Sequence, residues 1–529
     1  MTNFYKLLTL LLLAALLPSQ ATAYDFMVDG IAYNIKPNGT AEVTYTTLVS
    51  EYPGYGDNEI CMNYYGKTNI NIPETVEDES NTYVVASIGD SAFYGCESLK
   101  SIIISNSVTS IGTRAFMYCS WLQDVTLSNS LNAISEEMFK CCYHLNNIII
   151  PNSVTTIGNR AFEDVGITWY DEYYESPRYT FTSIEIPNSV NTIGDYAFQG
   201  SSLESITLPN SITQINDGTF YHTRLSSIDI PNSVTSIGNN AFQASYLKSI
   251  TLPNSITQIN DGTFSYTLLS SIDIPNSVTS IGEEAFYNSR LESIYIPTSV
   301  TSIGARAFAG TNLTTIPFPS TVTTIGEGMF SDCYMMREVE IPNFITSIGN
   351  DAFKWGGTED DHSLRSVTIP NSVQSIGESA FYMCWELKRK GIHSQIMNPM
   401  EIPFSAFYCD YDFDYIEWRP GDGQGQDWYP DGDMLYKKAK LYVPRGTMEL
   451  YKQTSGWKNF VNIEEYDLPV DNPVGDVTGD GTIDISDVNA VINMMLGKAE
   501  QTAASDVTGD GSVDIADVNA VINIMLGKQ

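Results

Sequence analysis

The chain has 529 residues, of which 63 are acidic and 27 are basic, and its formal net charge at pH 7 is −36. This charge excludes nucleic acid and anionic membrane surfaces as ordinary electrostatic partners. The 4 histidines are scattered, and no serine, cysteine or zinc signature of catalysis accompanies them. The sequence therefore predicts a protein that is not an enzyme, with no catalytic residues and no organic cofactor.

Residues 1–23 are typical of a secretory signal peptide. Lys6 precedes an apolar run from Leu7 to Leu17, and Ala21-Thr22-Ala23 is a small-residue cleavage site before Tyr24. The run is shorter than the roughly 20 residues that span a bilayer. We therefore expect a secreted or extracellular protein with no membrane span after cleavage.

Residues 24–83 have the composition of a β-structured N-terminal cap. Short β-favouring segments at 26–28, 31–35 and 42–45 alternate with turn residues. They lead directly into the periodic part of the chain, so we expect them to cover its first turn.

A hexapeptide, I-G-x-x-A-F in its commonest form, repeats through the middle of the chain in steps of mostly 22 or 23 residues. Between these marks lies an L-x-x-I-x-L segment, as in Leu203–Leu208, which is the strand pattern of a leucine-rich repeat. The sequence therefore predicts a β-rich repeat solenoid of about 13 repeats over residues 84–407, with insertions near 163–183 and 354–363. The repeats begin at Ile88, Ile111, Ile134, Ile157, Ile193, Ile215, Ile237, Ile259, Ile281, Ile303, Ile325, Ile348 and Ile376.

The full unit, L-x-S-I-x-I-P-N-S-V-T-S-I-G-x-x-A-F, resembles the BspA-like class of leucine-rich repeats from about Val84 to Phe407. The resemblance implies a parallel sheet in which stacked turns share one core and each Ala-Phe pair lies inside. Thr207–Phe220 is identical to Thr251–Phe264, and Ser226–Gly238 is identical to Ser270–Gly282. A 44-residue pair of repeats has therefore been duplicated.

Five of the 8 cysteines occupy one position of the repeat, eight residues after its isoleucine: Cys96, Cys119, Cys142, Cys333 and Cys384. Other repeats have serine or threonine there, which favours free buried thiols. A disulfide between Cys96 and Cys119 is the alternative, because adjacent turns bring Cα atoms within range.

Two aromatic and acidic segments, 163–183 and 408–436, are candidates for recognition, with local packing of a surface loop as the alternative. The outward strand positions, such as Thr207, Asp229 and Tyr295, are a second candidate surface. Residues 408–466 are predicted to hold the second aromatic segment and a C-terminal cap, with a strand at 439–444 and a short helix within 446–457. A linker at 467–475, with Pro469 and Pro473, follows.

Two acidic twelve-residue loops, 476–487 and 506–517, each read D-V-T-G-D-G-x-x-D-I-x-D. Oxygen side chains at positions 1, 3, 5, 9 and 12, with glycine at position 6, have the spacing of a calcium loop. Threonine at position 3 and aspartate in place of glutamate at position 12 depart from the EF-hand pattern. We therefore predict two Ca²⁺ ions held by Asp476, Thr478, Asp480, Thr482, Asp484, Asp487, Asp506, Thr508, Asp510, Ser512, Asp514 and Asp517.

Each loop is followed by an apolar stripe at helical spacing, which predicts a loop and an exit helix. The stripes are Val488, Val491, Ile492, Met495 and Leu496, and Val518, Val521, Ile522, Met525 and Leu526. Residues 476–529 resemble a dockerin type I module, a small α-helical calcium-binding domain. The resemblance implies a cohesin-type partner on a scaffold or surface protein. By the same resemblance, the residues that touch the partner are Ile485 with Ser486 and Ile515 with Ala516.

The sequence thus favours a bacterial protein at the cell surface whose solenoid recognises a protein or glycan and whose dockerin-like module docks to a cohesin-type domain. A polysaccharide-degrading assembly is the setting that dockerins imply. The alternative is an adhesin for host or neighbouring cells, which BspA-like proteins resemble, and a carbohydrate-active enzyme is the remote alternative.

Overall fold

The computed structural model describes residues 24–46, 64, 66–168, 178–354, 364–409, 434–468, 477, 485–496, 498, 507–508 and 513–526. The predicted signal peptide lies outside these residues, as do 169–177, 355–363 and 410–433 of the predicted insertions. The chain forms two compact units, residues 1–441 with 450–463, and residues 442–449 with 464–529. Among the described residues, no helix is long and apolar enough to cross a membrane.

In chain order, the strands are β1 Phe26–Val28, β2 Ile31–Ile35, β3 Ala41–Thr44, β4 Asn69–Ile72, β5 Thr75–Asp78, β6 Asn81–Ile88, β7 Ser101–Ile104, β8 Ser110–Ile111, β9 Asp124–Thr126, β10 Ala133–Ile134, β11 Thr156–Ile157, β12 Ile167–Thr168, β13 Arg178–Tyr179, β14 Ser183–Glu185, β15 Thr192–Ile193, β16 Ser205–Thr207, β17 Gln214–Ile215, β18 Ser227–Asp229, β19 Ser236–Ile237, β20 Ser249–Thr251, β21 Gln258–Ile259, β22 Ser271–Asp273, β23 Ser280–Ile281, β24 Ser293–Tyr295, β25 Ser302–Ile303, β26 Thr324–Ile325, β27 Glu338–Glu340, β28 Ser347–Ile348, β29 Ser366–Ile369, β30 Ser375–Ile376, β31 Gly391–Ser394, β32 Lys440–Pro444 and β33 Asn462–Tyr466. Within the described residues, the α-helices are α1 Leu387–Lys390, α2 Met434–Lys438, α3 Met448–Gln453, α4 Ile485–Met495 and α5 Ile515–Met525, and 3₁₀ turns are at Phe404–Phe407 and Trp457–Asn459.

The N-terminal strands form an antiparallel meander that leads into the repeats. Strands β1, β2 and β3 pair in sequence, and β5 and β6 form a hairpin. The end of β6 then pairs in parallel with β8. Strand β4 lies before residue 84, the predicted start of the repeats, yet it already pairs in parallel with β7.

The repeats build two parallel ladders, which confirms the predicted β-rich solenoid. The first ladder contains the L-x-x-I-x-L strands and includes β4–β7–β9, β14–β16, β18–β20, β22–β24 and β27–β29–β31. The second contains the short strands before each glycine and includes β6–β8, β10–β11–β15, β17–β19, β21–β23–β25 and β26–β28–β30. The first ladder is interrupted between β24 and β27, where Pro317 occupies the strand position and has no N–H to donate.

A stack of phenylalanine rings runs through the interior of the repeats. Successive ring centroids are 4.9–6.0 Å apart, and the rings are nearly parallel. Tyr64 covers one end at 4.9 Å from Phe93, and Trp457 and Phe460 pack against Phe407 at the other. The members are Phe93, Phe116, Phe139, Phe162, Phe198, Phe220, Phe242, Phe264, Phe286, Phe308, Phe330, Phe353, Phe381 and Phe407, and all are buried.

The glycine after the repeat isoleucine allows adjacent turns to approach closely. A Cβ atom on Gly282 would lie 2.6 Å from the backbone nitrogen of Asp261 in the preceding turn. Where asparagine replaces this glycine, its side chain bonds to the preceding turn: Asn260 Nδ2 donates to the carbonyl of Ile237 at 2.6 Å. The hexapeptide is therefore a stacking motif.

Candidate calcium and partner-binding sites

Helices α4 and α5 pack together around a small valine core. Val488, Val491, Val518 and Val521 are buried, together with Val477 from the first loop. Leu496 and Leu526, predicted to continue the apolar stripes, are instead each 56% exposed. Each directly follows the last helical residue, Met495 or Met525, and its N–H still bonds to the helix, at 3.0 Å from Ile492 or Ile522.

The last aspartate of each loop is fully buried and ties the loop to the helix that follows it. Asp487 Oδ1 accepts a hydrogen bond from the backbone of Val477 at 2.8 Å. Asp517 Oδ1 accepts from the backbone of Thr508 at 2.9 Å and from its hydroxyl at 3.0 Å. The two loops are therefore closed by the same residue type at the same position.

The second loop brings together three of its predicted ligands. Asp514 caps helix α5, because its Oδ1 accepts from the backbone of Ala516 at 2.7 Å, and its own N–H donates to Asp517 Oδ2 at 2.9 Å. Burial raises the pKa of Asp517, but hydrogen bonds from the backbone of Asp514 and from Thr508 outweigh it and lower the pKa below its usual value. Asp517 is thus held as a carboxylate by the backbone of Asp514 and by the hydroxyl of Thr508. Carboxylate and hydroxyl oxygens are the hard donors that Ca²⁺ prefers.

The remaining predicted ligands lie outside the described residues. They are Asp476, Thr478, Asp480, Thr482 and Asp484 in the first loop and Asp506, Asp510 and Ser512 in the second. Within the described residues, no group of three or more His, Cys, Asp or Glu side chains could hold a metal ion. The complete ligand set therefore stays a prediction.

The two helices begin with the same exposed apolar side chain. Ile485 is 63% exposed and Ile515 is 60% exposed, and Ala516 is exposed beside Ile515. Ser486 follows Ile485 in the first turn of helix α4. Leu496 and Leu526, the last members of the two apolar stripes, stand next to the glycine at which the sequence predicts that each helix stops.

The solenoid carries the second candidate surface, on the outward side of the first ladder. Asp229 pairs in register with Thr251, and Asp273 with Tyr295. All four side chains are exposed, and Tyr295 is 69% exposed. The predicted hydroxyl-rich and acidic face is therefore present in this part of the ladder.

The described ends of the first aromatic insertion pack against neighbouring turns. Phe181 is buried with its ring 5.5 Å from that of Phe162. Arg224 lies over the ring of Tyr179 at 3.8 Å, and Arg224 also forms an ion pair with Glu204 at 3.3 Å. These three contacts are local packing, while the other aromatic residues of the insertion lie outside the described residues.

Two family models and several solved structures are similar to this chain. The model for the BspA type leucine rich repeat region matches residues 58–170, 170–291 and 279–409, and the model for the dockerin type I domain matches residues 474–526. A leucine-rich repeat protein from Bacteroides ovatus is 26% identical, with a TM-score of 0.62 over 84% of this chain and 100% of that chain. A leucine rich cell surface protein from Faecalibacterium prausnitzii is 29% identical, with a TM-score of 0.48 over 70% of this chain and 94% of that chain. None of the curated proteins compared matches this chain.

Proposed function

Since the chain belongs to the BspA type leucine rich repeat family and carries a dockerin type I domain, we propose that its two modules divide recognition from attachment. Leucine-rich repeats and dockerin domains are noncatalytic module types, and calcium binding and cohesin binding follow from the dockerin domain. The solenoid recognises a ligand outside the cell. The dockerin domain holds the protein on a scaffold or surface protein that bears a cohesin-type domain.

The paired exposure of Ile485 and Ile515 is the observation that carries the docking proposal. A two-helix domain has little core, so two exposed isoleucines at equivalent positions are apolar surface that a partner can bury. Buried Asp487 and Asp517 link these positions to the loops, because each is two residues beyond one of the isoleucines. Two Ca²⁺ ions, one in each loop, would order the helix starts and so present both isoleucines.

The repeated loop ligands would hold the two ions. Within the second loop, Asp514 and Asp517 supply carboxylates and Thr508 supplies a hydroxyl, and the equivalent residues act in the first loop. A bound ion offsets the repulsion between these carboxylates, so its binding energy becomes folding energy. Docking should therefore depend on calcium.

Pull-down of envelope proteins from the source organism with residues 470–529 tests the docking proposal. We expect a protein with a cohesin-type domain to be captured in calcium and released by chelator. Replacing Asp476 and Asp487 together should weaken capture. The control for loss of acidic charge is replacement of the exposed Glu464 in a longer fragment, residues 460–529, which should leave capture unchanged. Capture that is unaffected by chelator, or capture of proteins without such a domain, would contradict the proposal.

We also propose that the protein is secreted and acts as a noncatalytic part of a polysaccharide-degrading assembly. The signal-like residues 1–23 support secretion, and the dockerin domain supports the assembly. An adhesin is the second candidate, and it is favoured by exposed apolar side chains near the start of the solenoid, namely Ile103, Trp121 and Ile149. Glycan and protein arrays probed with the solenoid separate the two, because the assembly requires glycan binding and the adhesin requires binding to proteins.

A further inference from the structure

The two copies of the duplicated repeat pair, residues 205–248 and 249–292, have the same core and differ at its surface. Phe220 and Phe264, and likewise Phe242 and Phe286, occupy the same stack in both copies. The copies differ only at Tyr221/Ser265, His222/Tyr266, Arg224/Leu268, Asn239/Glu283, Asn240/Glu284, Gln243/Tyr287, Ala244/Asn288, Tyr246/Arg290 and Lys248/Glu292. These positions lie either at the two variable places of the hexapeptide or between the hexapeptide and the next strand of the first ladder.

A cavity of about 620 Å³, here called the corner cavity, lies where the copies differ. Lys248, Leu268, Asn288, Arg290 and Glu292 all line it, and each of them is changed between the copies. The volume is within the range of about 300–1,000 Å³ that is typical of ligand clefts. Divergence after duplication has therefore changed the side chains that line this concave surface.

Two unpaired cations line the corner cavity of this strongly acidic chain. Lys248 and Arg290 are exposed, and neither forms an ion pair with any described residue. Elsewhere in the solenoid, Arg224 pairs with Glu204 at 3.3 Å and Arg306 pairs with Glu284 at 3.3 Å. In a chain of net charge −36, two cations without partners beside one cavity are a local site for an anionic group.

The rest of the lining suits a sugar. Ser270, Asn288 and Asn312 offer hydroxyl and amide groups, and Leu268 offers an apolar contact. Ser289 is only 2% exposed, and its hydroxyl has no hydrogen-bond partner among the described residues. A buried hydroxyl without a partner is costly, so a ligand hydroxyl that reaches Ser289 would be favoured.

The backbone keeps the corner cavity open. Asn288 and Gly310 occupy equivalent positions in successive turns, with φ of 52° and 70°. A Cβ on Gly310 would collide with Oδ1 of Asn288, so the lack of a side chain at 310 is what leaves room for that amide.

We propose that the corner cavity binds a saccharide that carries a carboxylate. Lys248 and Arg290 bind the carboxylate, the serine and asparagine side chains with Glu292 bind ring hydroxyls, and Leu268 contacts a C–H face. A protein partner fits less well, because protein interfaces of standard size bury about 800 Å² per partner around an apolar centre, and this surface is concave and polar. The inference rests on the proposed role of the solenoid in recognition and names its ligand class.

Calorimetry of the full chain with three acidic oligosaccharides tests the proposal. The probes carry galacturonate, glucuronate or a sialic acid, and each is compared with its neutral counterpart of the same length. We expect at least one acidic probe to bind at least tenfold more tightly than its counterpart. The variant with Lys248→Ala and Arg290→Gln should lose that difference, and Arg306→Gln, which removes a paired cation, should keep it.

A second variant separates loss of charge from loss of shape. Ser270→Trp, at an exposed position just before strand β22, should fill the corner cavity and abolish binding with no change in melting temperature. The proposal is overturned if no acidic probe binds, if the neutral probes bind equally well, or if binding is unchanged in both variants. Calcium-dependent docking of the C-terminal domain is measured separately, so its failure would leave this result unaffected.

Discussion

The Sγ atom of Cys119 donates a hydrogen bond of 3.0 Å to the carbonyl oxygen of Phe93, which belongs to the preceding turn. Cys142 makes the same bond to Phe116 at 3.2 Å. The threonines at this position instead bond within their own turn, as Thr223 does to Phe220 at 3.0 Å and Thr267 to Phe264 at 2.8 Å. The cysteines are therefore part of the contact between turns.

The described cysteines are buried thiols, which confirms the preference for thiols over disulfides. Burial raises the pKa of Cys141 and of Cys333 to about 11. Because the thiolate is the reactive form, we expect the folded protein to resist maleimide at pH 8 and to react after denaturation. Mass spectrometry counts the labels. Cys61, which lies outside the described residues, is replaced by serine before the experiment. Rapid labelling of Cys119 or Cys142 in the folded state would contradict their burial between turns.

Phe242→Ala should destabilise the solenoid by about 3–5 kcal/mol, because it empties a fully buried position in the ring stack. The ring of Phe242 lies 5.5 Å from that of Phe220 and 5.8 Å from that of Phe264. Chemical denaturation measures the free energy of unfolding, and hydrogen exchange should show the greatest loss of protection in adjacent turns. Thr251→Ala, at an exposed strand position, is the control and should change little. A denaturation curve for Phe242→Ala that matches the control would show that the stack contributes no stability.

Glu137→Gln should destabilise the solenoid at neutral pH and have less effect in acid. Burial raises the pKa of Glu137, but Arg114 at 2.6 Å and Lys140 at 3.4 Å outweigh it, so the pKa is lowered. A lowered carboxyl pKa contributes stability above the ordinary value of about 4.3, and this is lost as the pH falls through the lowered pKa.

Thermal melts from pH 7 to pH 3 check the Glu137 prediction. The difference in melting temperature between the wild type and Glu137→Gln should be largest at pH 7 and should shrink below about pH 4. Glu136→Gln makes the same charge change at the exposed neighbouring residue and should show no such trend. A constant difference across this pH range would mean that the charge of Glu137 is not involved.

Charging one isoleucine of the dockerin domain should weaken docking only about twofold, or roughly 0.4 kcal/mol. Ile485 and Ile515 have nearly equal exposure, so a partner could use either face, and half of the binding modes survive in Ile485→Asp. Adding Ile515→Asp should cost several kcal/mol, which makes the two changes strongly non-additive. Calorimetry with the captured partner measures both. A large loss from either single variant would show that one face alone is used.

The sequence by itself determined the repeat, the strands of the two ladders and the interior place of the Ala-Phe pair. These features depend on local alternation and on a period of 22 or 23 residues, which are visible along the chain. The two loop-and-helix units were predictable for the same reason, because their ligand spacing and apolar stripes are local. What the stripe could not show was the exposure of Leu496 and Leu526, since this depends on which side chains pack against each helix.

Only the tertiary structure decided which surface positions of distant turns form one site. Lys248 and Arg290 belong to different copies of the duplicated pair, and they line one cavity because the stacked turns place the segments before successive strands side by side. Tyr196 and Glu284 adopt positive φ, a backbone conformation that sequence patterns assign to glycine. Hydrogen bonds between turns hold the backbone in this conformation. The Tyr196 N–H donates to the carbonyl of Asp217 at 2.8 Å, and the Glu284 N–H donates to the carbonyl of Ala305 at 2.9 Å. Stacking therefore determines both the local backbone and the binding surface, and it is a property of many turns together.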